Sequence, residues 1–286
     1  VSQTKLFPSP NRKLPAQEPI RRQPFLPGLF VFRGTLPRKA SRTIAIGTSV
    51  TVLAVWEIFV RSGLTNPTFL PAPSTIAITM WQMTMSGVLI TNSGVSIARV
   101  MVAFLLSAVM AIPLGMLMSI YRPIGSALEP IIDFIRYLPV PALVPLSIIW
   151  FGIGEDTKIF LLWLGTFFQL VLMVAQDTDR VPHEYIEAAY TLGARPIEIM
   201  RMVALRSMLP SLVDNLRITL GWCWTYLIIA EIVASDSGLG FVIWTARRFM
   251  QTPQVMAGVV TIGIIGLLSD QLLRALHRRL FGYLRP

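Results

Sequence analysis

The sequence predicts an all-α integral membrane protein with six transmembrane helices and both termini in the cytoplasm. Three observations carry that prediction. The first is composition: 53% of the 286 residues are hydrophobic, only 14% are charged, and the mean hydropathy is +0.62. A soluble domain averages about 45–50% apolar and about 25% charged, so the charge deficit points to the bilayer. The second is six apolar segments, each close to the ~20 residues that cross a hydrocarbon core of ~30 Å. The third is the unequal sharing of basic residues between the two sides.

Residues 1–43 come first. They are rich in proline and carry Lys5, Arg12, Lys13, Arg21, Arg22, Arg33, Arg38, Lys39 and Arg42 against a single acid, Glu18. Prolines forbid a long helix, and no apolar core closely follows the first charges as a signal peptide requires. The segment reads as a basic, largely disordered cytoplasmic tail. The remainder, 44–286, reads as one transmembrane domain. Its spans are Ile44–Val60, Val100–Ile120, Ile131–Phe151, Ile159–Ala175, Ile218–Ala234 and Val255–Leu273. With the amino terminus inside, the tail, Arg122, the 175–217 loop and the carboxy-terminal end hold almost all the basic residues. Outside remain Arg61, Lys158, Arg247 and Arg248. This asymmetry sets both ends in the cytoplasm. In the outer loop from Arg61 to Asn92, Pro71-Ala72-Pro73-Ser74 introduces a helix-capable stretch, Thr75–Met85.

The net charge of +10 does not mean nucleic acid, because the basic residues sit at the tail and between apolar segments rather than along one face. Cys223 is the single cysteine and lies in an apolar run, so no intrachain disulfide forms. His183 and His277 have no Cys or His cluster near them, which leaves no metal-site pattern. Lys5, Lys13, Lys39 and Lys158 are preceded by Thr4, Arg12, Arg38 and Thr157, never by the glycine of a phosphate loop. G-x-S-x-G and H-E-x-x-H are missing too. The chain carries no enzymatic pattern and no cofactor motif of its own.

Polar residues within the spans narrow the function. An intramembrane charge costs at least ~2.5–3.5 kcal/mol and therefore meets a partner or a water-filled path. Asp133 and Arg136 stand three apart, so they either satisfy each other or line such a path. Glu57, Arg99 and Asp270 lie near span ends, where snorkelling suffices. Pro139, Pro141 and Pro145 break the third span. Irregular backbone at membrane depth is tolerated under protein cover or against an aqueous cavity. Trp222, Trp224 and Tyr226 open the fifth span as an interfacial belt or a pore wall. Glu231 follows near its outer end, before Ser235-Asp-Ser-Gly-Leu-Gly240, whose Gly238 and Gly240 suit a turn or gate.

The cytoplasmic loop 176–217 is a structured knob. Pro182 suits a first helical turn, and Glu184 and Glu187 favour its positive end. Tyr185, Ala188, Ala189 and Leu192 form an i, i+3, i+4, i+7 stripe. Gly193 ends the helix through a left-handed turn. Pro196 opens a second helix with Ile197, Met200 and Ala204 on one side, and Pro210 ends it. Read from residues alone, the knob is either a docking surface for a soluble partner or an amphipathic connector on the bilayer.

Glu187-Ala188-Ala189, then Gly193, then Leu209-Pro210 resembles the EAA loop of the permease subunits of bacterial ATP-binding-cassette importers. Further motifs resemble the nitrate/sulfonate/taurine/bicarbonate branch. They are Phe69-Leu-Pro-Ala-Pro73, Ser96-Ile-Ala-Arg-Val100, Ile112-Pro-Leu-Gly115, Arg136 through Leu146, Trp150-Phe-Gly-Ile-Gly-Glu155, Gly221-Trp222, and Ala230-Glu231 with Gly238-Leu-Gly240. The resemblance covers residues 65–285. Arg206 stands where many relatives place a proline, and Asn92 where a histidine is frequent.

The resemblance implies a type I importer (MetI-like) permease in the bacterial inner membrane. Its partners would be a second permease copy, two cytoplasmic ATPase subunits that bind ATP and Mg, an extracytoplasmic solute-binding protein and membrane lipid, with no nucleic acid. Glu184, Glu187, Ala188, Ala189, Leu192, Gly193 and Pro210 would couple to the ATPase. Asp133, Arg136, Pro139, Pro141, Pro145, Trp224 and Glu231 would line the translocation path, with Gly238 and Gly240 at the outer turn. The solute would be a small oxyanion: nitrate, bicarbonate, or a sulfonate such as taurine. A neutral or cationic nitrogen compound or a vitamin precursor is the alternative, and a stand-alone channel or secondary carrier a further one.

Overall fold

The computed structural model describes residues 37–66, 68–233 and 235–282, and every regular element among them is helical. The basic tail expected over 1–43 lies almost wholly outside the described residues. Helix α1 is Arg38–Arg61, α2 Pro73–Met85, α3 Val88–Ile120, α4 Arg122–Arg136, α5 Val144–Phe151 and α6 Glu155–Asp179. Then come α7 His183–Thr191, α8 Pro196–Glu198, α9 Leu205–Val233, α10 Leu239–Arg248 and α11 Thr252–Leu280. Among the described residues four helices are long and apolar enough to cross a membrane: α1 from Lys39, α3, α6 and α11. Helix α4 and the segment Val140–Phe151, bent by 89°, make a fifth if they count as one span.

By its internal contacts the chain divides into residues 1–54 and 55–286, with α1 running across the division. In the first unit Ile46, Val50 and Val52 are exposed, as expected of a helix whose surroundings are lipid rather than protein. In the second unit α6 is the central helix, packed between α3 and α9. Two apolar clusters run along it. One gathers Val100, Phe104, Leu161, Leu162, Leu227 and Leu239, the other Ala111, Met116, Leu170, Val174, Met208 and Leu212. Small residues let α3 and α6 approach. A Cβ on Gly115 would stand 2.5 Å from the Val171 carbonyl oxygen. The hydroxyls of Ser107 and Thr166 share a buried hydrogen bond of 2.9 Å.

The structure corrects several boundaries. The second span begins at Val88 rather than Val100, because Gly87 at φ 81° starts the helix and Thr91, Asn92, Ser93 and Ser96 continue it. Helix α9 begins at Leu205, not near Ile218, and runs straight through Pro210. Pro210 therefore does not end the second knob helix. The carbonyl it leaves without its helical partner belongs to Arg206, an exposed residue. The helix is set up by a π-helical turn, Ile199–Ala204, directly after α8. Helix α10 was not foreseen: it buries Leu239, Val242, Ile243 and Ala246 behind the Gly238 turn. Helix α2, expected over Thr75–Met85, starts two residues earlier, with Pro73 in its first turn.

Candidate functional site

The residues singled out in the sequence fall into three separate places. The first is the knob. Helix α7 buries none of its residues, and Gly193 at φ 81° closes it. The Gly193 N–H donates to the Tyr190 carbonyl (2.9 Å) and the Ala194 N–H to that of Ala189 (3.0 Å). That pair of bonds satisfies carbonyls which a helix end otherwise leaves open. The chain then turns, and the Arg195 N–H donates to Glu198 Oε2 at 2.7 Å. Tyr185, Ala188, Ala189 and Leu192 face Met202, Val203 and Arg206 across an open apolar shelf. Leu192 is 87% exposed. With Tyr185, also exposed, it leaves the apolar side of this two-helix corner open. Glu184 and Glu187 are exposed on the same helix, whereas Pro210 lies within α9 and is no part of the shelf.

The second place is the break in the third span. Pro139 caps a 3-10 turn, Val140–Leu143, Pro141 sits inside it, and Pro145 lies in the first turn of α5. Residue by residue this is what proline allows: no amide to donate, a fixed φ and a preference for first turns. The three prolines are exposed. Their neighbours Leu138, Val140 and Leu143 line a cavity of about 210 Å³, together with Ile135, Arg136, Gly165, Gln169, Trp222 and Tyr226. Arg136 Nε stands 3.0 Å from Asp133 Oδ1, Nη1 donates to Gln169 Oε1 at 3.3 Å, and Nη2 to the Tyr137 hydroxyl at 2.9 Å. Asp133 thus neutralises Arg136 without lining the cavity. Trp224 is elsewhere, buried, with its indole N–H donating to Ser269 Oγ at 3.1 Å.

The third place corrects two expectations. Arg99 does not snorkel from a span end and Glu231 does not face an open path: both are buried, and they pair at 2.8 Å. Arg99 also holds Glu155 in a fork, Nε to Oε2 and Nη2 to Oε1, each 2.6 Å. Lys158 reaches Glu155 Oε1 at 2.8 Å. Glu231 further accepts from the Ser96 hydroxyl (2.8 Å) and the Gly240 N–H (2.7 Å). The Leu239 N–H donates to Ser96 Oγ (2.9 Å) and the Gly238 N–H to Asn92 Oδ1 (2.7 Å). Arg99 Nη1 donates to the Ser237 carbonyl at 2.7 Å. A buried charge survives only when paired and hydrogen-bonded, and this cluster satisfies that by joining α3, α6 and α9 to the turn before α10. Gly238 and Gly240 are required here by space. Gly238 has φ 106°, and a Cβ on Gly240 would stand 2.5 Å from that of Glu231. Sequence reasoning named Ser96 and Glu155 only as ends of family-like motifs and Lys158 only as an outer basic residue, and gave none of them a partner. The signal was the spacing of three in Ser96/Arg99 and in Glu155/Lys158, which puts each pair on one helical face.

Asp270 and Glu57 are likewise paired. Asp270 accepts from Arg217 (3.0 Å) and Arg274 (3.0 Å), and Glu57 binds Arg61 at 2.6 Å and the Ser74 hydroxyl at 2.7 Å. Among the described residues no group of three or more His, Cys, Asp and Glu side chains is placed to hold a metal ion.

Residues 107–282 match the family described as the inner membrane component of binding-protein-dependent transport systems. The chain belongs to this family. It is 36% identical to the taurine transport system permease protein TauC of Escherichia coli K12, over 85% of this chain and 90% of that protein. It is 33% identical to the putative aliphatic sulfonates transport permease SsuC of Bacillus subtilis 168, over 81% and 84%. With the bicarbonate transport permease CmpB of Synechococcus elongatus the identity is 28%, over 79% and 84%. A chain of the inward-facing MetNI methionine ABC transporter superposes with a TM-score of 0.56 at 24% identity, covering 67% of this chain and 97% of that one. The fold is thus the MetI-like permease fold. The protein is a multi-pass inner membrane permease subunit of an ABC transporter, and its family works with a binding protein and with ATPase subunits.

Proposed function

We propose that this permease carries a small oxyanion inward by alternating access, driven by ATP hydrolysis in separate subunits. The observation that carries the ATP coupling is the shelf of Tyr185, Ala188, Ala189 and Leu192, left open at the corner closed by Gly193. Small alanines beside an exposed leucine admit a cleft wall closely, and Glu184 and Glu187 add charge at its edge. In this reading two permease copies pair, and six helices of each cross the membrane with both termini in the cytoplasm. Two ATPases bind ATP and Mg and grip the two knobs, and a binding protein delivers solute on the outer side.

Closure of the ATPases moves α7 and, through the π-helical turn, the start of α9. Helix α9 packs on α6 and carries Trp222 and Tyr226 to the cavity beside the broken span. The cavity changes access as these helices shift. Relatives named for taurine, aliphatic sulfonates and bicarbonate support an oxyanion as cargo. The buried cluster around Arg99 and Glu231 ties the outer ends of α3, α6 and α9 to the turn carrying Gly238 and Gly240, so a gate at this turn moves together with the cluster.

The test is a reconstituted complex of permease, ATPase and binding protein. Glu187→Lys and Leu192→Asp are expected to abolish solute-stimulated ATP hydrolysis and uptake while the permease still inserts. Unchanged coupling in both variants would sink the docking assignment.

A further inference from the structure

The cavity beside the broken span holds more hydrogen-bond donors than its neighbours use. Gln169 spends its carbonyl oxygen on Arg136, so its amide N–H groups remain to donate. Neither the Trp222 indole N–H nor the Tyr226 hydroxyl has a hydrogen-bond partner among the described residues, and neither is sealed from solvent as the Trp163 indole is. Arg136 contributes a guanidinium whose Nη1 and Nη2 reach Gln169 and Tyr137, while its Nε is sealed beside Asp133 at 3.0 Å. The rest of the lining is apolar: Leu138, Val140, Leu143, Leu164 and Phe168. A volume of about 210 Å³ is below the range of about 300 Å³ and upward that suits drug-sized ligands.

Resting on the reading of the chain as an oxyanion permease, we propose that this cavity is the station where the solute pauses, and that Gln169, Trp222 and Tyr226, with Arg136, select a short alkanesulfonate. A sulfonate is acceptor-only, so donors converging from α4, α6 and α9 match its oxygens, while the apolar wall takes its carbon chain. A bare inorganic anion would leave that wall unused. No carboxylate lines the cavity to repel the headgroup or to attract a cation. Asp133 sits behind Arg136 and tempers its charge, which keeps the site weak enough to release, as a transport path requires. Gly165 sets the position of one donor: a Cβ there would stand 2.6 Å from the Tyr226 ring, so only glycine lets the ring lie against α6.

The experiment measures uptake of ethanesulfonate, nitrate and bicarbonate by the full complex in liposomes. It uses the wild type, Gln169→Leu, Trp222→Phe, Tyr226→Phe and Gly165→Ala, and compares variants whose detergent melting matches the wild type. A hydrogen bond to a charged group is a strong one, so each loss is expected to raise the half-saturating ethanesulfonate concentration about tenfold or more. Gly165→Ala is expected to act like Tyr226→Phe. Tyr226→Phe removes one oxygen atom, and so remains informative if bulkier changes fail to fold. Wild-type uptake of no oxyanion would overturn the oxyanion reading itself. Ethanesulfonate uptake unaltered by Tyr226→Phe and Gln169→Leu would overturn the station alone. Nitrate or bicarbonate carried as efficiently as ethanesulfonate would overturn the role given to the apolar wall.

Discussion

Glu231 shows how much depends on single side chains here. Its carboxylate is fully buried and binds one cation, one hydroxyl and one backbone amide. Removing one partner of a buried pair costs about 3–5 kcal/mol, because the other charge stays behind without compensation. Glu231→Leu is therefore expected to lower the melting temperature in detergent sharply, and Gly240→Ala to do so through the clash with Glu231. Asp133→Asn makes the contrast. Its pair with Arg136 is partly exposed on both sides, so the change is expected to cost about 0–1 kcal/mol. Similar melting of Glu231→Leu and the wild type would show that the cluster contributes little to stability. The ionisable residues were visible in the sequence, as was the need for partners within a bilayer. Which partner each takes was not visible: Arg99 and Glu231 are 132 residues apart, and only the packing of α3 against α9 joins them.

At the scale of elements, local chemistry decides where helices end and tertiary packing decides where they continue. Gly193 is an example of the first. Its φ of 81° and open surroundings mean that only backbone strain opposes a side chain there, at about 1–3 kcal/mol for a residue forced into this region. Gly193→Val is expected to loosen the corner and uncouple ATP hydrolysis from uptake, whereas Gly193→Asn, which tolerates left-handed backbone, keeps most of the coupling. Equal coupling in the two variants would remove the geometric role of the corner. Pro210 is an example of the second. Its place inside α9 implies that Pro210→Ala leaves the helix intact, with melting unchanged or raised. The stripe of α7, the proline break and the presence of α2 were legible because period and cap chemistry are local. The long starts of α3 and α9 were not, since polar residues at Thr91–Ser96 and Asp214–Arg217 hide helix that neighbouring helices stabilise.

For the whole molecule the open proposal is sidedness. Cys223 is the single cysteine and fully buried, so an introduced cysteine reports its own side of the membrane. Leu192→Cys is expected to react with a membrane-impermeant thiol reagent only from the cytoplasm. Ile153→Cys, before α6 and 79% exposed, is expected to react only from outside. Labelling of both from one side would refute the orientation drawn from charge asymmetry. The sequence by itself determined that the chain lives in a membrane, because its 14% charged residues fall well below the about 25% of a soluble domain and its apolar residues gather in runs of spanning length. It determined the first knob helix with its Gly193 end and the proline break too, since each follows from residues near in sequence, but not the second knob helix, which runs on into α9. The tertiary structure alone decided that Arg99 and Glu231 lock one end of the bundle, and that Gln169, Trp222 and Tyr226 share a cavity with Arg136. Those groupings depend on which helix faces pack together, and residues far apart in sequence meet only once that packing is fixed.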